Sequence, residues 1–413
     1  MKKSPFFRKV LIGLSAVGPG LFLIGYNIGT GSVTTMAKVG AEYGMTLTWA
    51  LALSCLFTYI LMVAYGKTTL VTGKTALLNI RQQFKYGSVL AIYIMIALII
   101  GELLALMGIM GIVSDLLNEG LRLIWGHTVN SFWITLVLVL GLYALFWFGR
   151  YQSFEKILMG FVILMGLAFT LVFFMVKPNM SSIISGLIPS IPKTPGAFAL
   201  IAAIAGTTCS AAVFIMRSTV VAEKGWTIHE LGQEKKDAAV SAAMMFLLSL
   251  IIMAVSAGTL HLMGMKLTNT VEMISLFEPI GGKIAAFLLI LGIVGAGLST
   301  IFPILLIAPW LISDYTGKER NIRSPLYRAL GLIGILFGFG AQFIAATPPI
   351  IMVFSQAFQA LILPAVAIPI FILINRKGLM QQETAGLKMN IGLVAVIIFS
   401  VITSYFAVVG LMG

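Results

Sequence analysis

The chain has 413 residues, of which 59% are hydrophobic and only 10% charged, against roughly 45–50% and 25% in ordinary soluble proteins. With a mean hydropathy of +1.04, it carries more apolar surface than a water-soluble fold can hide, so much of that surface must face lipid. This excludes a soluble enzyme, a disordered regulator and a disulfide scaffold, and the net charge of +13 does not by itself call for nucleic acid.

A membrane helix needs about 20 apolar residues. In chain order such runs lie near 10–38, 46–66, 88–117, 130–148, 155–176, 197–221, 237–261, 283–313, 327–345, 349–375 and 388–410, which predicts an all-α integral membrane protein of about eleven spans. The runs are too long and continuous for barrel strands. The basic start (Lys2, Lys3, Arg8, Lys9) feeds a long first span with no cleavage site, unlike a signal peptide. Cys55 and Cys209 lie inside apolar runs and are expected as free thiols. Most of the 27 Lys and Arg fall on one side if the N-terminus is cytoplasmic: the start, 67–85, 150–156, 217–236, 318–328 and 376–388. This places the chain as a multi-pass protein of the inner (plasma) membrane and accounts for its basic balance. Glu155 with Lys156 and Arg150 reads as an inner-surface ion-pair cluster. Asp237 reads as an acidic partner for the start of span seven, and Lys38 as a snorkelling side chain. His127, His229 and His261 stand singly, so no metal site is expected at any of them. No Walker-type phosphate loop is present, so transport would not be driven by the chain's own ATP hydrolysis. No enzymatic activity, nucleic-acid partner or obligate protein partner is expected; the lipid bilayer and a small-molecule substrate are.

Two spans carry clusters that a plain membrane helix avoids. Span one reads Gly25-Tyr26-Asn27-Ile28-Gly29-Thr30-Gly31-Ser32, and span six reads Gly206-Thr207-Thr208-Cys209-Ser210. A helical glycine costs about 1 kcal/mol relative to alanine. Close helix packing at small residues accounts for one such cluster. A pair at corresponding positions of two five-helix halves instead predicts discontinuous helices around a midplane site. The whole chain, 1–413, is then one transport domain, with a first repeat at about 10–176, an inverted second repeat at about 197–375 and an extra helix at about 388–410.

The sequence resembles the Nramp family of proton-coupled divalent-metal transporters. The resemblance rests on Gly18-Pro19-Gly20, Thr35 to Gly44, Arg150 to Lys156, Gly186-Leu187-Ile188-Pro189, Ala296-Gly297-Leu298-Ser299-Thr300, and Ser355-Gln356 followed by Leu363-Pro364 and Ile368-Pro369. It implies the leucine-transporter type of 5+5 inverted repeat, with helices one and six broken. The family's metal-binding motifs are replaced. Gly29-Thr30-Gly31-Ser32 stands where the family has Asp-Pro-Gly-Asn, and Ser210-Ala211-Ala212 where it has Met-Pro-His. Arg217 stands where some members have a further histidine. Glu102 matches a family carboxylate in helix three, but Ile109 and Ile112 occupy later acidic positions.

The breaks offer hydroxyls, an amide and backbone carbonyls, with no anionic side chain. A positive charge such as that of Arg217, at about 4 Å and an effective dielectric near 20, would cost a unit cation about 4 kcal/mol, and a divalent ion twice that. The sequence therefore predicts a secondary transporter for a small, uncharged, sugar- or polyol-like solute working by alternating access. The expected substrate-binding residues are Tyr26, Asn27, Gly29, Thr30, Ser32, Thr207, Thr208, Ser210 and Gln356, with aromatic walls from Tyr26, Phe214 and Phe358. The alternatives are a divalent cation (Mg²⁺ or Mn²⁺) at a displaced or hydrated-ion site, and an amino acid. Glu102 and Arg217 are the coupling or gating candidates, Glu102 as proton acceptor or as Arg217's partner. No cofactor is expected, and coupling to H⁺, coupling to Na⁺ and uncoupled uniport are the three drivers left open.

Overall fold

The computed structural model describes residues 29–148, 151–194, 196–277, 281–317 and 324–412. The regular structure among them is helical throughout: α1 (Thr30–Tyr43), α2 (Thr48–Thr72), α3 (Ala76–Gln83), α4 (Gly87–Trp125), α5 (Ser131–Phe148), α6 (Tyr151–Val176), α7 (Met180–Ser185), α8 (Ala197–Thr208), α9 (Ala211–Glu223), α10 (Leu231–Gly258), α11 (Gly282–Thr316), α12 (Pro325–Phe339), α13 (Pro348–Asn375), α14 (Lys377–Met380) and α15 (Leu387–Met412).

Among the described residues, nine segments are long and apolar enough to cross a membrane. They coincide with expected spans two to four and six to eleven. Span one is represented by α1, and span five by α6, whose apolar part runs over Val162–Val176. The Arg150–Lys156 cluster lies outside the described residues and side chains.

Helix ends follow local chemistry. At the end of α4, Gly126 takes φ +75°, a left-handed conformation that glycine adopts without a Cβ penalty, and its N–H returns to the Arg122 carbonyl. Ser324 caps α12 by accepting from the Tyr327 N–H, with Pro325 in the first helical position. Prolines stand inside α11 (Pro303, Pro309) and α13 (Pro364, Pro369), each removing a backbone donor.

Burial sorts the helices into centre and rim. In the span formed by α8 and α9, 89% of the most apolar window is buried, against 22% in α5 and 28% in the α12 span. The broken span therefore sits at the middle of the bundle, while α5 and α12 show most of their surface to lipid. Helices of the first five spans rest largely on those of the second five: α1 packs on α10, and α4 on α13 and α11. α6 packs on α11, and α8 lies between α13 and α15.

Candidate functional site

The start of α1 and the break in span six sit beside one central hollow. Gly29, at the N-cap of α1, is extended (φ −84°, ψ −173°), and the chain is helical from Thr30 onward. Tyr26 and Asn27 lie outside the described residues. In span six, α8 ends at Thr208. Cys209 (φ −111°, ψ 47°) and Ser210 (φ −67°, ψ 129°) leave helical geometry, and α9 resumes at Ala211. The break is thus narrower than the sequence cluster, because Gly206, Thr207 and Thr208 remain helical. Carbonyls freed at a helix end need outside partners. The Thr58 hydroxyl of α2 supplies one by donating to the Thr208 carbonyl at 2.7 Å.

The hollow encloses about 40 Å³, room for about three waters at roughly 10–15 Å³ each. α1 contributes Gly29, Gly31 and Ser32; α4 gives Glu102, Ala105 and Ile109. The last turn of α8 adds Thr207 and the break after it Ser210; α11 gives Thr300 and Ile304, and α13 Gln356 and Gln359. Ser32 and Thr207 share a hydrogen bond of 2.9 Å across the two broken spans. Ser210 Oγ donates to Gln359 Oε1 at 2.6 Å, and Gln359 Nε2 donates to Glu102 Oε1 at 3.1 Å. Glu102, 3% exposed, is the one charged side chain lining the hollow among the described residues.

Of the expected binding residues, Gly29, Ser32, Thr207, Ser210 and Gln356 are brought together at the hollow, as is Glu102 of the coupling pair. Thr30 and Thr208 face helix backbone instead: Thr30 Oγ1 donates to the Ile293 carbonyl at 3.5 Å, and Thr208 Oγ1 to that of Ile204 at 2.6 Å. Phe214 stacks on Tyr65, ring centroids 6.1 Å apart. Among the described residues, the apolar wall of the hollow is Ala105, Ile109 and Ile304, with no aromatic ring. Gln359 was missed. Its signal was its spacing of three from Gln356, which puts both amides on one helix face. Gly31 approaches closely, because a Cβ there would meet the Gln356 amide.

Arg217 is not Glu102's partner. It is fully buried between two carboxylates of α10, with Nη2 at 2.9 Å from Glu234 Oε2 and Nη1 at 2.6 Å from Asp237 Oδ2. Asp237 serves this pair rather than a helix start, which lies two turns earlier. The next two residues are tied as well: Ser218 Oγ accepts from the Ala76 N–H at the start of α3, and Thr219 donates to Asp314 of α11. With two carboxylates around one guanidinium, the repulsion expected of Arg217 toward a cation is cancelled.

Lys38 does not snorkel. Its ammonium meets Glu42 at 2.6 Å and donates to the Leu267 carbonyl at 2.7 Å. Among the described residues, no group of three or more His, Cys, Asp and Glu is gathered to hold a metal ion. The two cysteines are free and buried.

The family model described as "Natural resistance-associated macrophage protein-like" (Nramp) matches residues 20–410. The chain belongs to the Nramp family. A divalent metal cation transporter (MntH) of Ralstonia nicotianae is 24% identical over 404 residues, covering 92% of this chain and 87% of that protein. One from Pectobacterium carotovorum is 27% identical over 296 residues, covering 70% and 69%. Among solved structures, the Eremococcus coleocola manganese transporter superposes with a TM-score of 0.70 at 16% identity over 98% of this chain and 87% of that one. MhsT, bound to L-phenylalanine, gives 0.64 at 13% identity over 95% and 98%. These neighbours establish the fold: a leucine-transporter-type 5+5 architecture in a multi-pass membrane protein of a transporter family. Membership and relatives overturn the sugar- or polyol-like solute expected from the sequence, since the Nramp relatives matched along most of the chain are divalent metal cation transporters. The expectation failed for a physical reason. It set the positive charge of Arg217 against a cation and placed Glu102 among the coupling rather than the substrate-binding residues, whereas Arg217 is neutralised by Glu234 and Asp237 and Glu102 lines the hollow.

Proposed function

We propose that this protein is a secondary transporter of divalent metal cations, with Mn²⁺ and Mg²⁺ as the chemical range, and that the ion enters the central hollow with part of its water shell. The observation that carries this reading is the setting of Glu102. It is a buried carboxylate lining a hollow whose other polar groups are neutral hydroxyls and amides, with no cationic side chain among the described lining residues. At about 4 Å and an effective dielectric near 20, such a carboxylate attracts a divalent ion by about 8 kcal/mol before its loss of water is counted. Hydroxyl, amide and carboxylate oxygens suit Mg²⁺ and Mn²⁺, and Mg²⁺ in particular keeps several waters. Ser32, Thr207, Ser210 and Gln356 are the neutral partners of the ion or of its waters, with Gly29 leaving them space.

The same reading makes the chain a carrier rather than an enzyme. It resides in the plasma membrane with its N-terminus in the cytoplasm, as the distribution of Lys and Arg supports. It alternates access by movement of a first repeat (about 10–176) against a second (about 197–375), and an H⁺ or Na⁺ gradient drives it without a prosthetic group. Reconstitution into liposomes tests the proposal. Mn²⁺ or Mg²⁺ influx above that of empty vesicles is expected, with Glu102→Gln removing it. Absence of flux for both ions under H⁺ and Na⁺ gradients would overturn it.

A further inference from the structure

The hydrogen bonds between Glu102 and the break in span six have a direction, and that direction matters for a cation. Glu102 Oε1 accepts the Nε2–H of Gln359 at 3.1 Å, the role open to a carboxyl oxygen that carries no hydrogen. This fixes the amide with its oxygen toward Ser210, and Gln359 Oε1 takes the Ser210 hydroxyl hydrogen. With its hydrogen committed, Ser210 Oγ has only lone pairs left for the hollow that it lines. Without that commitment, the hydroxyl hydrogen is free to rotate, including toward an incoming ion.

We propose that Gln359 is a positioning residue that transmits the polarity of Glu102 to Ser210 and so holds the unwound residue of span six as a ready-made acceptor for a divalent cation. The relay spans three elements: α4 supplies the charge, α13 the amide and the α8–α9 break the hydroxyl. All three residues are buried, Glu102 at 3%, Gln359 at 4% and Ser210 at 3% exposure. Their rotamers are therefore set by the bundle rather than by solvent. Gly101, beside Glu102, leaves room for this amide, since a Cβ there would press on Gln359 Cγ. This inference rests on the divalent-cation reading and gives Gln359 a role in it that neither span's motif announces.

The test is binding of Mn²⁺ and Mg²⁺ to the purified full-length protein, measured by calorimetry, with melting curves confirming that each variant is folded. Gln359→Met keeps the side-chain bulk but neither polar atom, and is expected to weaken Mn²⁺ binding by about tenfold, the loss of one oriented hydrogen-bonded ligand. Ser210→Ala is expected to do the same, and the double variant to lose no more than either single one, because both changes remove one acceptor. Gln359→Glu, sharing one proton with Glu102, still donates to Glu102 and accepts from Ser210, so its affinity should match that of the wild type. A residue that served packing alone would lose affinity in both Gln359 variants. Additive losses in the double variant, or weakened binding in Gln359→Glu, would overturn the relay while leaving the divalent-cation reading intact. Failure of the wild type to bind either ion would remove both.

Discussion

At the scale of single residues, the site is governed by which charges are paired. Arg217 is an intramembrane cation fully enclosed by Glu234 and Asp237. Removing one member of such a group leaves buried, uncompensated charge and costs about 3–5 kcal/mol. Arg217→Leu is therefore expected to lower the melting temperature in detergent sharply, more than an apolar truncation such as Ile304→Val, which typically costs about 0.5–1.5 kcal/mol. An unchanged melting curve would mean that the pair contributes nothing. These partnerships show where sequence reading ran out. Glu234 and Asp237 follow Arg217 by 17 and 20 residues across a turn, and no local spacing rule pairs residues at that distance. Read singly, Arg217 repels cations; read with its partners, it does not. Gln359 is the opposite case, since its spacing from Gln356 on an apolar helix was visible and went unused.

At the scale of elements, the small residues in span six do two jobs at different positions. Gly206 is helical, and a Cβ there would overlap the Gln356 carbonyl on α13, so this glycine encodes close packing of two helices. The departure from helix comes three residues later, at Cys209 and Ser210. Close packing and unwinding thus both occur within the cluster, each at its own residue. Gly206→Ala is expected to destabilise the protein by about 1–3 kcal/mol through overpacking. In an unpacked helix the same change would gain about 1 kcal/mol, so the sign of the shift in thermal melting decides the matter. Thr58→Val removes the hydroxyl that closes the end of α8 and is expected to cost about 1 kcal/mol, read from the same melts. The spans themselves were legible because hydropathy over about 20 residues is a strong signal. Their interior contacts were not, because every face of a central span is apolar and no periodicity tells which neighbour it meets.

At the scale of the whole molecule, the architecture was readable from paired irregularities in two halves, whereas the cargo was not readable from the motifs. A site assembled from α1, α4, the α8–α9 break, α11 and α13 draws its single charge from a helix that neither break contains. The proposed orientation gives a further prediction. Cysteine introduced at Lys85 should react with an impermeant thiol reagent only from the cytoplasmic side, and cysteine at Lys193 only from the outside. Labelling of both from one side would refute that topology.

Three successive residues past the break, Arg217, Ser218 and Thr219, moor α9 to α10, α3 and α11 respectively. A rod fastened to three different posts within one turn cannot tilt by loosening one knot; the fastenings must yield together or travel as a unit. In the transport cycle proposed above, passage from the hollow toward that end is thus the stiff stage: trimming one tether, as in Thr219→Val, should leave metal efflux on that side of loaded liposomes unchanged, whereas Ser218→Ala combined with Thr219→Val should quicken it.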